Sequence, residues 1–479
     1  MAPEAHDAVI IGSGPNGLSA AIALAQRGLR TLVLERNDTV GGGARTAELT
    51  LPGFRHDVCS SIFPFAAGSP FLRTLRLEAH GLRWAHPGAP LAHPLDDGSA
   101  AVLHRSIEET AATFRHDGDA RAYAKMMRPL VDAWEDLAGD ILAPPLHRPR
   151  AWRAFAKFMW LGATSGKRFA HAHFTGERAR ALFAGCAAHS ILPIEKMPSG
   201  AFGLVLMLAG HAVGWPMAEG GAQAISDALA SLLRSLGGEI EMGREIRSMR
   251  DLPGSKMYLF DTTPRQMLAI AGNELPWRYS ARTMRFKPGP GIFKVDWALS
   301  APAPWTARDC ALAGTVHLTG TLEETAEAER GPWEGRTAEN PYVIFAQPSV
   351  FDPSRAPAGA HTAWAYCHVP NGSSEDMTER IEAQVERFAP GFRDIILARH
   401  TKNCAQIEAE NPNYLGGDIG GGANNAMQLL ARPVLSINPY ATPNPRIFIC
   451  SASTPPGAGV HGMCGFFAAQ AALARKKLN

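Results

Sequence analysis

The sequence predicts an α/β fold built on a parallel sheet, and three stretches of the chain support this prediction. A short apolar run at residues 8–11 leads through a glycine turn into a helix and a second strand. A further short strand is expected at 257–260, and another at 446–450 precedes an alanine-rich helix that we expect to reach about residue 478. Uninterrupted apolar runs of this length are typical of strands covered on both faces by helices.

The composition is that of an ordinary globular protein. The chain has 479 residues, of which 46% are hydrophobic and 19% charged, which indicates two to three domains. Its formal net charge is only +2 and no long single-sign run occurs, so we expect no nucleic-acid partner.

The cysteines and the hydropathy of the chain further limit the class of protein to which it can belong. The seven cysteines are odd in number, scattered and without C-x-x-C spacing, which argues against a disulfide framework and a zinc site. No secretory signal and no uninterrupted apolar stretch of about 18 residues is present, so we expect a cytoplasmic protein. A cationic, aromatic stretch at 148–160 is interpreted as a helix of a substrate domain, with peripheral contact to a membrane surface as the alternative.

The first forty-five residues carry the most specific motif. The strand at 8–11 is followed by G-x-G-x-x-G, a helix expected at 18–27, and a second strand that ends at Glu35. In a Rossmann-like unit Gly12 permits the tight turn, Gly14 admits a pyrophosphate and Gly17 lets the helix pack on the sheet. Glu35 can accept hydrogen bonds from ribose hydroxyls and would repel a 2′-phosphate, which favours FAD or NAD over NADP. The candidate dinucleotide-binding residues of this unit are Gly12, Ser13, Gly14, Pro15, Asn16, Gly17, Glu35 and Arg36.

A second glycine loop separates FAD from NAD. Gly41 to Gly43 follow the acidic residue closely, and Arg45 comes two residues later, where its guanidinium could neutralise the pyrophosphate. This resembles the double-glycine motif of the two-dinucleotide-binding flavoproteins, which include amine oxidases, protoporphyrinogen oxidases and carotenoid desaturases. The candidate FAD-binding residues here are Gly42, Gly43, Ala44 and Arg45.

The end of the chain resembles the closing motif of phytoene desaturase-like proteins. The run that carries the resemblance is Thr-Pro-Pro-Gly-Ala-Gly-Val-His-Gly-Met-Cys-Gly at residues 454–465. The resemblance implies a helix whose N-terminus faces the flavin, with His461 either assisting proton transfer or only hydrogen-bonding the flavin. The resemblance also implies cofactor contacts near Ile246, which lies in the segment 245–249 that is predicted to be a strand. It implies further cofactor contacts near Ser60 and Ser61. The candidate flavin-side residues are Ser451, Gly459, Val460, His461, Gly462 and Met463.

The chain departs from typical carotenoid desaturases at one position. Those proteins usually place arginine directly after the glycine pair, whereas Gly43 and Ala44 precede Arg45 here. The prediction is therefore phytoene desaturase-like without a specifically carotenoid substrate.

The resemblance also implies an interleaved layout, a Rossmann-like FAD-binding domain combined with a mixed α+β substrate domain. The predicted FAD-binding segments are 1–105, 214–285 and 405–479. The predicted substrate-domain inserts are 106–213, mainly helical, and 286–404, an antiparallel sheet with helices. The aromatic residues expected to line a substrate cavity on that sheet are Trp297, Trp305, Phe345, Trp364 and Tyr366.

The predicted function is that of an FAD-dependent dehydrogenase or desaturase. A largely apolar small molecule would give a hydride to flavin N5, and a quinone or oxygen would accept the electrons, because no second nicotinamide-binding motif occurs. The alternatives are an amine oxidase-like enzyme, a redox-neutral isomerase or saturase, and a non-catalytic FAD-stabilised binding protein.

Overall fold

A computed structural model of the protein describes residues 6–476, which form sixteen strands and eighteen α-helices. The strands are β1 (His6–Ile11), β2 (Thr31–Leu34), β3 (Thr46–Glu48), β4 (Arg55–Asp57), β5 (Trp84–Ala85), β6 (Ala89–Pro94), β7 (Ala100–Leu103), β8 (Met217–Ala218), β9 (Glu239–Glu241), β10 (Ser255–Phe260), β11 (Gly291–Leu299), β12 (Ala313–Leu318), β13 (Val343–Ala346), β14 (His361–Val369), β15 (Ile396–Lys402) and β16 (Ile447–Ile449). The helices are α1 (Pro15–Ala25), α2 (Pro64–Ala67), α3 (Ile107–Thr113), α4 (Asp117–Val131), α5 (Trp134–Ile141), α6 (Trp152–Gly162), α7 (Gly166–His173), α8 (Glu177–Ala188), α9 (Ser199–Ala212), α10 (Gln223–Ser235), α11 (Pro264–Ala271), α12 (Trp277–Thr283), α13 (Leu322–Arg330), α14 (Pro348–Phe351), α15 (Thr378–Phe388), α16 (Cys404–Glu410), α17 (Ala426–Leu430) and α18 (Met463–Lys476).

A five-stranded parallel sheet forms the core of the first structural unit. Its strand order is β16-β10-β1-β2-β9, so three distant parts of the chain meet in one sheet. Alternate residues of β1 pack on opposite faces, Ile10 against the helices α1, α10 and α18 and Ile11 against the layer that contains α11. Because both faces are covered, residues 8–11 of β1 and all of β2 and β16 are apolar or buried, whereas the edge strand β9 keeps Glu239 and Glu241 exposed.

Local signals explain where two elements of this unit begin and end. Helix α1 starts at Pro15 rather than at residue 18, because proline has no N–H to leave unsatisfied in the first turn. The strand expected at 245–249 is wrong. Ser248 and Asp251 form a capping box there, and Met249–Asp251 is a short 3₁₀ turn instead.

A seven-stranded sheet of order β15-β11-β14-β13-β12-β6-β7 forms the second unit. All its neighbours are antiparallel except β12 and β6. Strands β6 and β7 come from the part of the chain that the sequence assigned to the first FAD-binding segment. The division into domains stays a prediction, and the pairing favours a first boundary near residue 85 over one at 105.

The two faces of this sheet carry different side chains. Trp297, Trp305 and Phe345 belong to the core on one face, so their predicted place on a substrate cavity wall is wrong. Trp364 and Tyr366 lie on the opposite face, against the layer formed by helices α3 to α9. The period of two in a strand predicts that alternate residues share a face but leaves open which face that is.

Within residues 6–476, no helix is both long enough and apolar enough to cross a membrane.

Candidate functional site

A cavity of about 440 Å³ lies at the carboxyl ends of β1, β2, β10 and β16. In parallel α/β sheets this edge is where ligands bind, since loops and helix N-termini converge there. Residues from all three predicted FAD-binding segments line it. The predicted site residues brought together there are Gly12, Ser13, Gly14, Pro15, Asn16, Glu35, Arg36, Gly42, Gly43, Ala44, Ser60, Ile246, Ser451, Gly459 and Val460.

The glycine turn is shaped for a close approach that a side chain would prevent. Gly12 adopts a φ of +101°, which favours glycine. A Cβ on Gly14 would lie 2.6 Å from Asp261 Oδ2, and a Cβ on Gly17 would lie 2.2 Å from the Gly12 carbonyl oxygen. Gly17 is therefore required for packing rather than for lining the cavity, as the sequence predicted for its position.

Glu35 is held rigidly at one end of the cavity. Its carboxylate accepts hydrogen bonds from the Ser13 N–H at 3.0 Å, the Ser13 hydroxyl at 2.6 Å and the Asn37 N–H at 2.9 Å. The side chain is buried but lines the cavity. A fixed carboxylate in this position can accept from ribose hydroxyls and disfavours a 2′-phosphate.

Asp261, at the end of β10, is a cavity residue that sequence reasoning missed. It accepts a hydrogen bond from the Gly17 N–H at 2.9 Å. Burial, together with repulsion from Glu35, raises the pKa of Asp261 to about 7 in spite of that hydrogen bond. The sequence signal that could have identified Asp261 is its position directly after a predicted strand, which ends at the same sheet edge as β1.

The pKa of Asp261 predicts that the affinity for a dinucleotide depends on pH. A pyrophosphate in the cavity favours the neutral carboxyl, so affinity is higher below the pKa and falls as the pH rises through 7. We expect a loss of about three- to tenfold between about pH 6 and pH 8. Titration of the apoprotein with FAD at both pH values measures the effect. In Asp261→Asn, which keeps an acceptor for Gly17, the dependence should vanish, and an unchanged slope would contradict this role.

Arg45 does not line the 440 Å³ cavity, and its predicted contact with a pyrophosphate stays a prediction that this geometry does not favour. Its Nε donates to the Gly42 carbonyl at 2.8 Å, and its guanidinium pairs with Glu410 at 3.0 Å. Arg45 instead borders a small neighbouring cavity together with Tyr414 and Lys294. Arg45 thus holds the second glycine loop in place from the side that faces away from the 440 Å³ cavity.

Ser60 and Ser61 serve different purposes although they are adjacent. Ser60 lines the cavity, whereas Ser61 is buried and donates to Asp57. Asp57 also accepts from the Ala222 N–H at 2.8 Å and pairs with buried Arg355 at 2.8 Å. This network joins segments 46–61, 222 and 355, and so it supports the loop that carries Ser60.

His461 does not line the cavity, and its geometry is that of a helix cap; its predicted role, proton transfer or only a hydrogen bond to the flavin, stays a prediction that this geometry does not favour. Its ring is fully buried, Nδ1 accepts from the Met463 N–H at 3.0 Å, and Nε2 faces the Gly457 carbonyl at 3.2 Å. Burial lowers the pKa of His461 to about 4 against the pull of two backbone carbonyls, so the ring is neutral at physiological pH. Gly462 and Met463, the first residue of α18, likewise do not line the cavity, although Gly459 and Val460 do.

Replacing His461 by asparagine tests that assignment. A cap should affect stability and cofactor retention, so we expect the pH profile of kcat/KM to keep its shape between about pH 5 and 9. The rate would be followed with any compound found to reduce the flavin. Loss of one limb of the profile in His461→Asn would instead identify a titrating catalytic group.

Several further cavity residues come from a loop that carried no sequence signal for a cofactor. Residues 411–414 border the cavity, and the Tyr414 hydroxyl lies so close to Gly43 that a Cβ there would meet it at 1.9 Å. Asn413 Oδ1 accepts from the Thr263 N–H at 2.8 Å, which ties this loop to the end of β10. Other unpredicted neighbours include Arg244, Glu245, Thr262, Gln266, Gly421, Ala452 and Ser453.

Known proteins resemble this chain in sequence and in fold. A family model described as an NAD(P)-binding Rossmann-like domain matches residues 10–75. Pyridine nucleotide-disulfide oxidoreductase domain-containing protein 2 of Rattus norvegicus is 25% identical over 97% of this chain and 92% of its own length. Phytoene dehydrogenase of Streptomyces griseus is 25% identical over 81% of this chain and 77% of that protein. The structure of cyclohexylamine oxidase from Brevibacterium oxydans covers 99% of this chain and all of its own, with a TM-score of 0.59 and 16% identity, which is a likeness of fold.

Proposed function

We propose that this chain is a phytoene desaturase-like FAD-dependent oxidoreductase, which removes a hydride from a largely apolar organic substrate and delivers it to flavin N5. The relatives agree with three of the sequence predictions. These are the general activity as an oxidoreductase, the small-molecule substrate and the FAD cofactor. The hydride direction, the apolar substrate and the electron acceptor are the proposal.

The single observation that carries the proposal is the continuity of the 440 Å³ cavity. Its lining combines Glu35, which suits a ribose, the two glycine loops, which suit a pyrophosphate, and Ser451, Gly459 and Val460 from the segment before α18. One cavity thus offers the chemical environments that the successive groups of FAD require. The cradle fits because Gly12 and Gly14 line the cavity with backbone alone, and a Cβ on Gly14 would lie 2.6 Å from Asp261 Oδ2.

When bound, FAD would supply the two-electron chemistry, and the chain would supply orientation and electrostatics. Helix α18 begins at Met463, three residues after Val460 on the cavity lining, so the partial positive charge of its N-terminus would lie near that part of the cavity and could stabilise negative charge there. The Ser69 hydroxyl donates to the His461 carbonyl at 2.7 Å and so fixes the turn into that helix.

The apolar character of the proposed substrate is taken from the desaturase relatives, such as phytoene dehydrogenase of Streptomyces griseus. The stacked rings of Trp364 and Tyr366 belong to the core against helices α3 to α9 and line neither the cofactor cavity nor the small cavity beside it. Lys294 and Lys402 border that small cavity, where they pair with Asp296 and Glu410. A lining whose ammonium groups are paired with carboxylates is compatible with a weakly polar molecule.

Anaerobic reduction of the bound flavin tests the proposed reaction. Apolar alkenes and alcohols should bleach the oxidised-flavin absorbance, and primary amines should not. Reduction by amines with stoichiometric peroxide in air would favour the amine oxidase alternative. If no compound reduces the bound flavin, the alternative of a non-catalytic, FAD-stabilised binding protein would be favoured. Reoxidation by a soluble quinone without peroxide would identify the acceptor class.

A further inference from the structure

Exposed apolar side chains concentrate on one surface beside the cofactor cavity. The segment 427–437 exposes Met427, Leu430, Leu435 and Ile437, with Leu435 83% and Ile437 87% exposed. Single exposed apolar residues are ordinary, but four in eleven residues form a patch of the kind that marks an interaction site.

A second exposed segment, 277–287, lies against the first. Gln428 exchanges hydrogen bonds with the backbone of Lys287 at 2.7 and 3.0 Å, and Asn444 donates to the Glu274 carbonyl at 3.2 Å. The chain from 428 to 444 therefore runs alongside 274–287, which adds Trp277, 74% exposed, and Met284, 54% exposed, to the same surface. We call segments 277–287 and 427–437 together the apolar-basic face.

The charge of this face is of one sign. Arg278, Arg282, Arg285 and Lys287 are exposed, and none of them forms an ion pair with a carboxylate of residues 6–476. No Asp or Glu occurs at positions 275–295 or 419–446. Unpaired cations around exposed apolar side chains are complementary to an anionic lipid surface, where the headgroups attract the cations and the apolar side chains enter the interface.

The face also borders a passage towards the cofactor. A cavity of about 320 Å³ is lined by Met284, Phe286 and Lys287, and it shares Thr263, Asn413, Gly421 and Ser453 with the cofactor cavity. A molecule leaving a membrane at this face would therefore enter next to the cofactor site.

We propose that the apolar-basic face docks the protein on an anionic membrane surface and opens the 320 Å³ cavity towards the lipid. This inference goes beyond the proposed reaction, and docking can be measured without any substrate. The helix α6, which the sequence raised as a membrane-contact candidate, supplies the matched comparison because it exposes Trp152 and Trp160 by 62% and 76%.

Co-sedimentation with vesicles tests the proposal. The FAD-loaded protein should bind phosphatidylcholine vesicles that contain about one third phosphatidylglycerol, should bind pure phosphatidylcholine at least about tenfold more weakly, and should be released by high salt. Leu435→Ser combined with Ile437→Ser, and separately Arg282→Gln combined with Arg285→Gln, should each lower the partition constant by about tenfold or more. Trp152→Ser combined with Trp160→Ser should change it by less than about twofold.

A second measurement needs no variant. Amide exchange of the wild-type protein should slow at 427–437 when anionic vesicles are added and stay unchanged at 152–162. The proposal is overturned if the wild-type protein does not bind these vesicles, or if binding is lost only in the α6 variant. It is also overturned if the face instead holds two copies of the chain together, seen as a dimer that dissociates in Leu435→Ser, Ile437→Ser without any vesicle binding.

Discussion

Replacing Gly17 by valine is expected to weaken FAD binding by about a hundredfold or more, equivalent to roughly 3 kcal/mol. A Cβ at this position would lie 2.2 Å from the Gly12 carbonyl oxygen and 3.0 Å from Asp261 Oδ2. The Gly12 carbonyl is backbone, and Asp261 is fixed by the Gly17 N–H itself. Relief therefore requires α1 to move away from the sheet, which displaces the glycine turn and the loop that must meet the pyrophosphate.

Fluorescence titration with FAD measures this effect, and Gly139→Ala is the matched control. Gly139 lies inside helix α5, and a Cβ there meets no atom within 4 Å. The control should bind FAD like the wild-type protein and gain slightly in stability, since alanine is the better helix former. Equal FAD affinity in Gly17→Val and the wild type would show that the turn does not form the cofactor site.

Replacing Arg355 by methionine is expected to destabilise the fold by about 3–5 kcal/mol, because it leaves a buried carboxylate without its partner. Arg355 and Asp57 are both fully buried, and the guanidinium also donates to the Arg55 carbonyl at 3.2 Å. Denaturant unfolding measures the loss. Arg73→Met, which removes an exposed pair with Glu135, should cost less than about 1 kcal/mol.

The pH dependence of the Arg355 effect has a definite sign. Burial alone would raise the pKa of Asp57, but Arg355 and the hydrogen bonds from Ala222 and Ser61 outweigh it and lower that pKa. The pair therefore stabilises the fold above the ordinary carboxyl pKa of about 4, and this contribution is lost as the pH falls through the lower folded value. The penalty of Arg355→Met should be largest near neutrality and shrink in acid, and Asp57→Asn should rescue part of it. A penalty that stays constant with pH would contradict the pairing argument.

The N-terminal unit could be predicted because its determinants are contiguous. The strand, the glycine turn and Glu35 lie within about thirty residues, and local backbone chemistry decides each of them. Asp261 and Tyr414 could not be found in the same way. They reach the glycine turns only after β10 has paired with β1 and the loop 411–414 has folded over them.

Side-chain direction was the other limit of sequence reasoning. Arg45 was expected to face the pyrophosphate, but its partner Glu410 stands 365 positions away in the chain. His461 was expected at the flavin, but the backbone N–H groups at the start of α18 require an acceptor and its ring supplies one. The partner of Arg45 is remote in sequence, whereas the Met463 N–H is a neighbour of His461 and needs an acceptor only because α18 begins there.

The absorbance spectrum of the gently purified protein, recorded before and after titration with FAD, tests the central claim most directly. We predict flavin bands and, after denaturation, release of one FAD per chain, with Gly17→Val purified alongside and depleted of flavin. A wild-type protein that carries no flavin and takes up none on titration would contradict the assignment of the cavity between Glu35 and Val460 to FAD.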